Sequence, residues 1–124
     1  MGINKMKKTL IEIQKALKGR ALNLSNEKLL QNNIAEAFQD ANLDFKKEVK
    51  IDENNIVDFM IDTLAIEVKI KSKVSAMNIY RQIERYAKND KVETILLMTS
   101  KTISLPNNIN GKPIYILSLG RTQI

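Results

Sequence analysis

Hydrophobic and polar residues alternate in the middle of the chain, in the segment NIVDFMIDTLAIEVKIK from Asn55 to Lys71. Two runs of β-branched and apolar residues flank Asp62-Thr63, a pattern typical of a β-hairpin with a two-residue turn. Side chains alternate between the two faces of a strand. The first predicted face is a core surface formed by Val57, Phe59, Ile61, Ile66, Val68 and Ile70. The second predicted face carries Ile56, Asp58, Met60, Ala65, Glu67 and Lys69.

The predicted register places two acids, Asp58 and Glu67, directly opposite each other. Opposed residues have Cβ atoms about 5 Å apart, and like charges there are destabilising. At an effective dielectric constant of ~20 the repulsion is roughly 3 kcal/mol. Protonation of one acid, a nearby cation or a bound metal ion relieves it. Lys69 offsets part of the repulsion, and Mg²⁺, which prefers oxygen ligands, offsets more. The pattern therefore indicates a metal site with a lysine beside it.

The remaining periodicities predict three helices and three further strands. Apolar residues recur every three or four positions in residues 2–18, in residues 25–41 after an N-cap at Ser25, and in residues 75–88. Strands are predicted at 45–51, 92–98 and 114–119, with 99–112 as a loop. The run VETILLM predicts a strand buried on both faces. The order α-α-β-β-β-α-β-β predicts an α/β fold with a mixed sheet of about five strands flanked by helices. Residues 64–98 are predicted to form a βαβ crossover within it.

Two motifs resemble those of a known nuclease superfamily. Asp58, followed across a short loop by Glu67-Val68-Lys69, resembles the PD-(D/E)xK signature, with Val57 in place of the usual proline. The run from Gln82 to Tyr86 is similar to the QxxxY pattern of several branches, including RecB-like nucleases. The resemblance implies a restriction-endonuclease-like core over about residues 25–119.

The resemblance also implies a metal-dependent active site. Asp58, Glu67 and the carbonyl of Val68 would hold Mg²⁺, for which Mn²⁺ is expected to substitute. Lys69 would orient or help deprotonate the attacking water. Gln82 would face the site.

A further acid often lies on the first core helix of such nucleases. Its position near the apolar stripe favours Glu27 as a catalytic residue and metal ligand, whereas Glu36 falls on the solvated side. The alternative is that Glu27 is only a first-turn acid stabilised by the helix dipole.

The resemblance implies DNA as the substrate in preference to RNA. Tyr86 would bond or stack near substrate, although a core tyrosine beside a solvated glutamine is an equal alternative. The phosphate path would be lined by Lys71, Lys73, Arg81, Arg85 and Lys88. With 124 residues there is no room for a separate recognition domain, so we expect a nonspecific or structure-selective endonuclease. The alternative is a noncatalytic nucleic-acid-binding or assembly protein with the same fold.

Composition narrows the chemistry further. The chain has neither histidine nor cysteine, which excludes zinc fingers, Ser-His-Asp triads and disulfide frameworks. The net charge is +6, and residues 1–28 hold seven basic residues against two acidic ones. This excess favours a polyanion partner, although a solvated helix face is the simpler interpretation.

The N-terminal segment, residues 1–21, is predicted to be separate from a core of residues 22–124. Its stripe of Ile3, Met6, Leu10, Ile13 and Leu17 is expected to pack on its own domain or on a second copy, and a homodimer is expected. No apolar run approaches the ~20 residues of a membrane span, and no signal peptide is evident. We therefore expect a cytoplasmic protein that does not enter membranes.

Overall fold

The computed structural model describes residues 1–70 and 74–120, and these form three helices and one six-stranded sheet. The helices are α1 (Ile3–Leu17), α2 (Glu27–Asp40) and α3 (Ala76–Ala87). The strands are β1 (Lys46–Lys50), β2 (Ile56–Ile61), β3 (Leu64–Lys69), β4 (Thr94–Thr99), β5 (Asn108–Ile109) and β6 (Lys112–Ser118). The spatial order of the strands is β1-β2-β3-β4-β6-β5. The prediction of an α/β fold with a mixed sheet is confirmed.

The sheet has an antiparallel half and a parallel half, and helices cover both faces. β1, β2 and β3 pair antiparallel, whereas β3, β4 and β6 run parallel. Side chains of α1 and α2 share one core cluster with the sheet, and those of α3 share the other. Since α3 connects the adjacent parallel strands β3 and β4, the predicted βαβ unit is present. All of β4 is buried, as its continuous apolar run predicts.

The hairpin register is confirmed, but one face assignment is wrong. Ile61 pairs with Leu64 and Phe59 with Ile66, as the two-residue turn requires. Val57, however, packs in the α3-side cluster rather than with Phe59. Alternation along β2 is interrupted at Asp58, because its pairing with β3 stops after Phe59. Across from Asp58 in the β1–β2 register, Glu48 adopts a left-handed φ of 51°.

The helix start and one loop also differ from prediction. α2 is capped by Asn26, whose side chain accepts a hydrogen bond from the Leu29 amide at 3.0 Å, rather than by Ser25. The predicted loop 99–112 contains β5, which pairs antiparallel with β6. Asn110 and Gly111 join these strands with φ values of 52° and 78°, as the favoured two-residue hairpin turn requires.

The N-terminal stripe packs on its own domain. Met6, Ile13 and Leu17 are buried in the cluster formed with α2 and the sheet, and only Ile3 of the stripe is strongly exposed. The stripe is therefore not free to form the predicted contact with a second copy. No helix in the described part of the chain is long and apolar enough to cross a membrane.

Candidate active site

The candidate site lies where β2 and β3 separate. Pairing between these strands stops after Phe59 and Ile66. In a regular antiparallel ladder, hydrogen-bonded and non-hydrogen-bonded pairs alternate, so Val68 would exchange backbone hydrogen bonds with Val57. Instead, the Val68 amide donates to Asp58 Oδ2 at 2.9 Å. The carboxylate of Asp58 thus replaces a backbone acceptor and holds the two strands apart.

Glu67 lies at the centre of this opening and is only 3% exposed. Its Oε2 lies 3.1 Å from Lys69 Nζ in a nearly buried ion pair. Its Oε1 lies 3.3 Å from both the Asp58 amide and the Tyr86 hydroxyl. Asp58 is half-buried beside it. The structure therefore brings Asp58, Glu67 and Lys69 together at the opening between β2 and β3.

Burial makes these carboxylates hard to ionise. Burial and the charge of Asp58 together raise the pKa of Glu67 to about 7, against the lowering effect of Lys69. Burial likewise raises the pKa of Asp58, against the lowering effects of the Val68 amide and Lys69. With a pKa of about 7, the Glu67 carboxyl group exchanges its proton near neutral pH. The predicted cross-strand repulsion is thus relieved partly by Lys69 and partly by protonation.

Helix α3 supports the site through Gln82 and Tyr86. Gln82 Nε2 donates to the Tyr86 hydroxyl at 3.0 Å, so the two residues are neighbours, as their spacing of four predicts. The Tyr86 hydroxyl lies 3.0 Å from the carbonyl of Ile56. Burial and the adjacent acids raise the pKa of Tyr86 strongly, which keeps its hydroxyl protonated. Gln82 therefore reaches Glu67 only through Tyr86.

The burial of Tyr86 corrects the prediction that its ring contacts substrate. Tyr86 is 1% exposed and belongs to the α3-side core. The structure supports the alternative, a core tyrosine. In addition, the Tyr86 hydroxyl bonds the Ile56 carbonyl, in the part of β2 that has separated from β3. The four-residue spacing from Gln82 was the signal for this role, but only the fold shows which strand the hydroxyl meets.

The two helix acids differ as predicted in their relation to the site. Glu27, half-buried at the first turn of α2, is close enough to Asp58 for its charge to raise the pKa of that residue. Glu36 is exposed on the same helix. Within residues 1–70 and 74–120, however, no three acidic side chains converge closely enough to form a metal-binding group. Glu27 thus influences the site electrostatically, and its role as a metal ligand stays a prediction.

The predicted basic residues fall into two groups. Arg81, Arg85 and Lys88 are exposed on α3, and the Nε of Arg85 also donates to Asn55 Oδ1 at 3.2 Å. Lys71 and Lys73 lie outside the described residues. The exposed cations of α3 are therefore available to solvent beside the helix face that supports Glu67.

A sizeable cleft lies away from these acids. It has a volume of about 510 Å³ and is lined by residues including Lys5, Asp44, Lys46 and Asp62. Asp62 belongs to the hairpin turn, at the end of the sheet away from Glu67. The cleft carries charges of both signs and none of the opposed acids, so size alone does not identify the candidate site.

The donor set fits a hard divalent cation. Asp58 and Glu67 present carboxylate oxygens within one opening, and Mg²⁺ is commonly held by one or two carboxylates plus waters and substrate phosphate. The carbonyl of Val68 is directed to the same side of β3 as its amide, which faces Asp58. A cation bound there would offset the charge of Asp58 that raises the pKa of Glu67.

Comparisons of the chain with protein-family models, with curated proteins and with solved structures found no match.

Proposed function

We propose that this protein is a Mg²⁺-dependent nuclease that hydrolyses phosphodiester bonds in DNA, with a restriction-endonuclease-like core. The observation that carries the proposal is the group of Asp58, Glu67 and Lys69 at the opening between β2 and β3. A buried acid beside a half-buried one, with a nearly buried lysine 3.1 Å from Glu67, costs stability. Binding of a divalent cation by these carboxylates would explain why the costly arrangement is present.

The residues of the chain have separate tasks in this proposal. Asp58, Glu67 and the Val68 carbonyl would hold the cation, and Mn²⁺ is expected to substitute for Mg²⁺. When bound, the cation supplies Lewis-acid polarisation of the scissile phosphate and acidifies the attacking water. Lys69 orients that water and offsets negative charge on the phosphate as the bond to the leaving oxygen breaks. Tyr86, held by Gln82, keeps Glu67 and the end of β2 in position.

Substrate binding is expected along the exposed face of α3. Arg81, Arg85 and Lys88 would contact backbone phosphates, which provide affinity and salt dependence rather than sequence choice. This is consistent with a nonspecific or structure-selective endonuclease. Concerted cutting of two strands would need two copies of the chain, and the dimer contact would have to use a surface other than the buried N-terminal stripe.

A second function is favoured by one specific observation. Asp58 and Glu67 already have protein partners in the Val68 amide, the Tyr86 hydroxyl and Lys69. With Glu67 protonated, these partners satisfy the site without a cation, as suits a noncatalytic nucleic-acid-binding protein. Such a protein would bind DNA but would not cut it with any divalent metal.

The deciding experiment is a cleavage panel of plasmid, single-stranded, flapped and four-way-junction DNA in Mg²⁺, Mn²⁺ or EDTA. Asp58→Asn, Glu67→Gln and Lys69→Met should each lower cleavage at least a hundredfold, as loss of an acid–base or charge-stabilising group does. Glu36→Gln, an exposed acid on α2, is the matched control and should cut normally. Metal-dependent cutting that survives Asp58→Asn and Glu67→Gln would contradict the site assignment.

A further inference from the structure

A second polar pocket lies at the ends of the parallel strands, beside the acids. It has a volume of about 200 Å³ and is lined mainly by the start of the loop after β4 and by the end of β6. This is smaller than the ~300–1,000 Å³ of pockets that enclose a drug-sized molecule. It therefore suits one segment of an extended ligand rather than a whole enclosed compound.

The register places this pocket in line with the proposed active site. Lys69 pairs with Thr99, and Thr99 pairs with Ser118, across the carboxyl ends of β3, β4 and β6. Directly paired residues share a face of the sheet, and neighbouring strands are about 4.8 Å apart. Ser118 thus lies roughly 10 Å from Lys69 in the same row. Carboxyl ends of parallel strands are the usual position for ligands in open α/β sheets.

The loop that forms the pocket is held in place by its own contacts. The Lys101 amide donates to Thr99 Oγ1 at 2.9 Å, and the Leu119 amide donates to the Thr99 carbonyl at 2.8 Å. The Ser100 amide donates to the Lys69 carbonyl at 3.3 Å, which joins the loop to the strand that carries the catalytic candidates. Ile103, further along the loop, packs against the α3-side core. The pocket wall is therefore fixed relative to Lys69.

The groups that line the pocket suit an anion. Lys101 is half-buried, and Thr102 and Ser118 are exposed with hydroxyl groups that can donate. The described lining includes no acidic residue. Within the described part of the chain, no carboxylate forms an ion pair with Lys101. A lysine with two hydroxyl donors and no opposing charge provides a site for a phosphate group.

We infer that the pocket formed by Lys101, Thr102 and Ser118 binds a second phosphodiester of the nucleic acid backbone, beside the one at Glu67 and Lys69. The inference rests on the proposed function, since it extends the same substrate across the sheet. One nucleic acid strand carries a phosphate per ~3.4 Å of helix rise, so a separation of roughly 10 Å spans a few nucleotides. The pocket fixes the direction in which the strand crosses the active site.

The test is binding of fluorescein-labelled duplex DNA, measured by anisotropy across a range of salt concentrations. The protein carries Lys69→Met, which prevents cutting. Adding Lys101→Gln should weaken binding about eightfold near 0.1 M salt and reduce the slope of log K against log salt by about 0.9, the effect of one lost phosphate contact. Adding Ser118→Ala removes a hydroxyl without a charge change and should weaken binding about two- to tenfold. Lys91→Gln, an exposed lysine at the other end of the sheet, is the matched charge control and should leave the slope unchanged.

The outcomes separate this inference from the proposed function. If the otherwise unaltered protein cuts DNA but Lys101→Gln binds like Lys91→Gln, the pocket assignment is overturned and the nuclease proposal stands. If the protein binds DNA without cutting it and Lys101→Gln lowers the slope, the pocket assignment stands and the nuclease proposal fails. If no DNA is bound or cut, both are overturned. Circular dichroism of each variant separates lost contacts from lost folding.

Discussion

Replacing Glu67 by glutamine should make the protein more stable above neutral pH, although the residue is at the centre of the candidate active site. The folded-state pKa of Glu67 is about 7, against an ordinary value of 4.5. Each pKa unit corresponds to 1.36 kcal/mol, so ionising Glu67 in the folded protein costs about 3 kcal/mol more than in the unfolded chain. Glutamine keeps the shape and removes the charge.

The pH dependence has a definite sign. Below pH 4.5 the carboxyl group is protonated in both states, and the cost is absent. Between pH 4.5 and about 7 the unfolded chain releases the proton while the folded protein retains it, so stability falls as pH rises. Above about pH 7 the full cost is present. The stability of Glu67→Gln relative to the unaltered protein should therefore rise by about 3 kcal/mol from pH 4.5 to about 8.

Urea unfolding in EDTA, followed by circular dichroism at both pH values, measures this difference. Glu36→Gln controls for the loss of one negative charge, and its effect should stay within about 0.5 kcal/mol because the residue is exposed. Equal stability differences for Glu67→Gln at the two pH values would refute the raised pKa of Glu67. The assay requires no knowledge of the substrate.

Three further predictions concern the metal, the supporting tyrosine and the cap of α2. At about pH 8, Mg²⁺ at a hundred times its Kd should stabilise the unaltered protein by about 2.7 kcal/mol, measured in a thermal melt. The Glu67→Gln variant should lose most of that stabilisation. Equal stabilisation of both proteins would exclude Glu67 as a ligand. Tyr86→Phe removes the hydroxyl at Ile56 and Glu67 but keeps the ring, so urea unfolding should show that the free energy of unfolding falls by about 1 kcal/mol. Cleavage should be reduced more than DNA binding. Unchanged cleavage would show that the hydroxyl does not position the site. In urea unfolding, Asn26→Ala should destabilise the protein by about 1 kcal/mol, whereas Ser25→Ala should destabilise it less. A larger effect of Ser25→Ala than of Asn26→Ala would contradict the observed cap.

Local patterns in the sequence were enough to predict most of the architecture. The two-residue turn determined the register that opposes Asp58 and Glu67, and the apolar run of β4 predicted its burial on both faces. These predictions hold because strand periodicity and turn length depend on neighbouring residues. The distinction between Glu27 and Glu36 likewise followed from helix periodicity, since it requires only the position of each residue relative to the apolar stripe.

Other features depend on contacts between residues far apart in the chain. Periodicity could not reveal that Glu48 takes a left-handed conformation, that Val57 lies in the other core cluster, or that β5 forms within a polar loop. The role of Tyr86 was undecided between core and substrate because only packing determines which strand its hydroxyl meets. The alignment of Lys69, Thr99 and Ser118 also requires the parallel register of three strands separated in sequence.

In the hairpin of β2 and β3, some features follow from the local sequence and others from contacts between residues far apart in the chain. The sequence by itself determined that two acids and a lysine share one face of adjacent strands, because side chains alternate along an extended backbone. Only the tertiary structure decided that the strands separate at Asp58, that its carboxylate takes the place of a backbone acceptor, and that Glu67 is buried beneath α3. Burial is a property of the assembled layers, and it raises the pKa of Glu67 to about 7 where exposure to water would not.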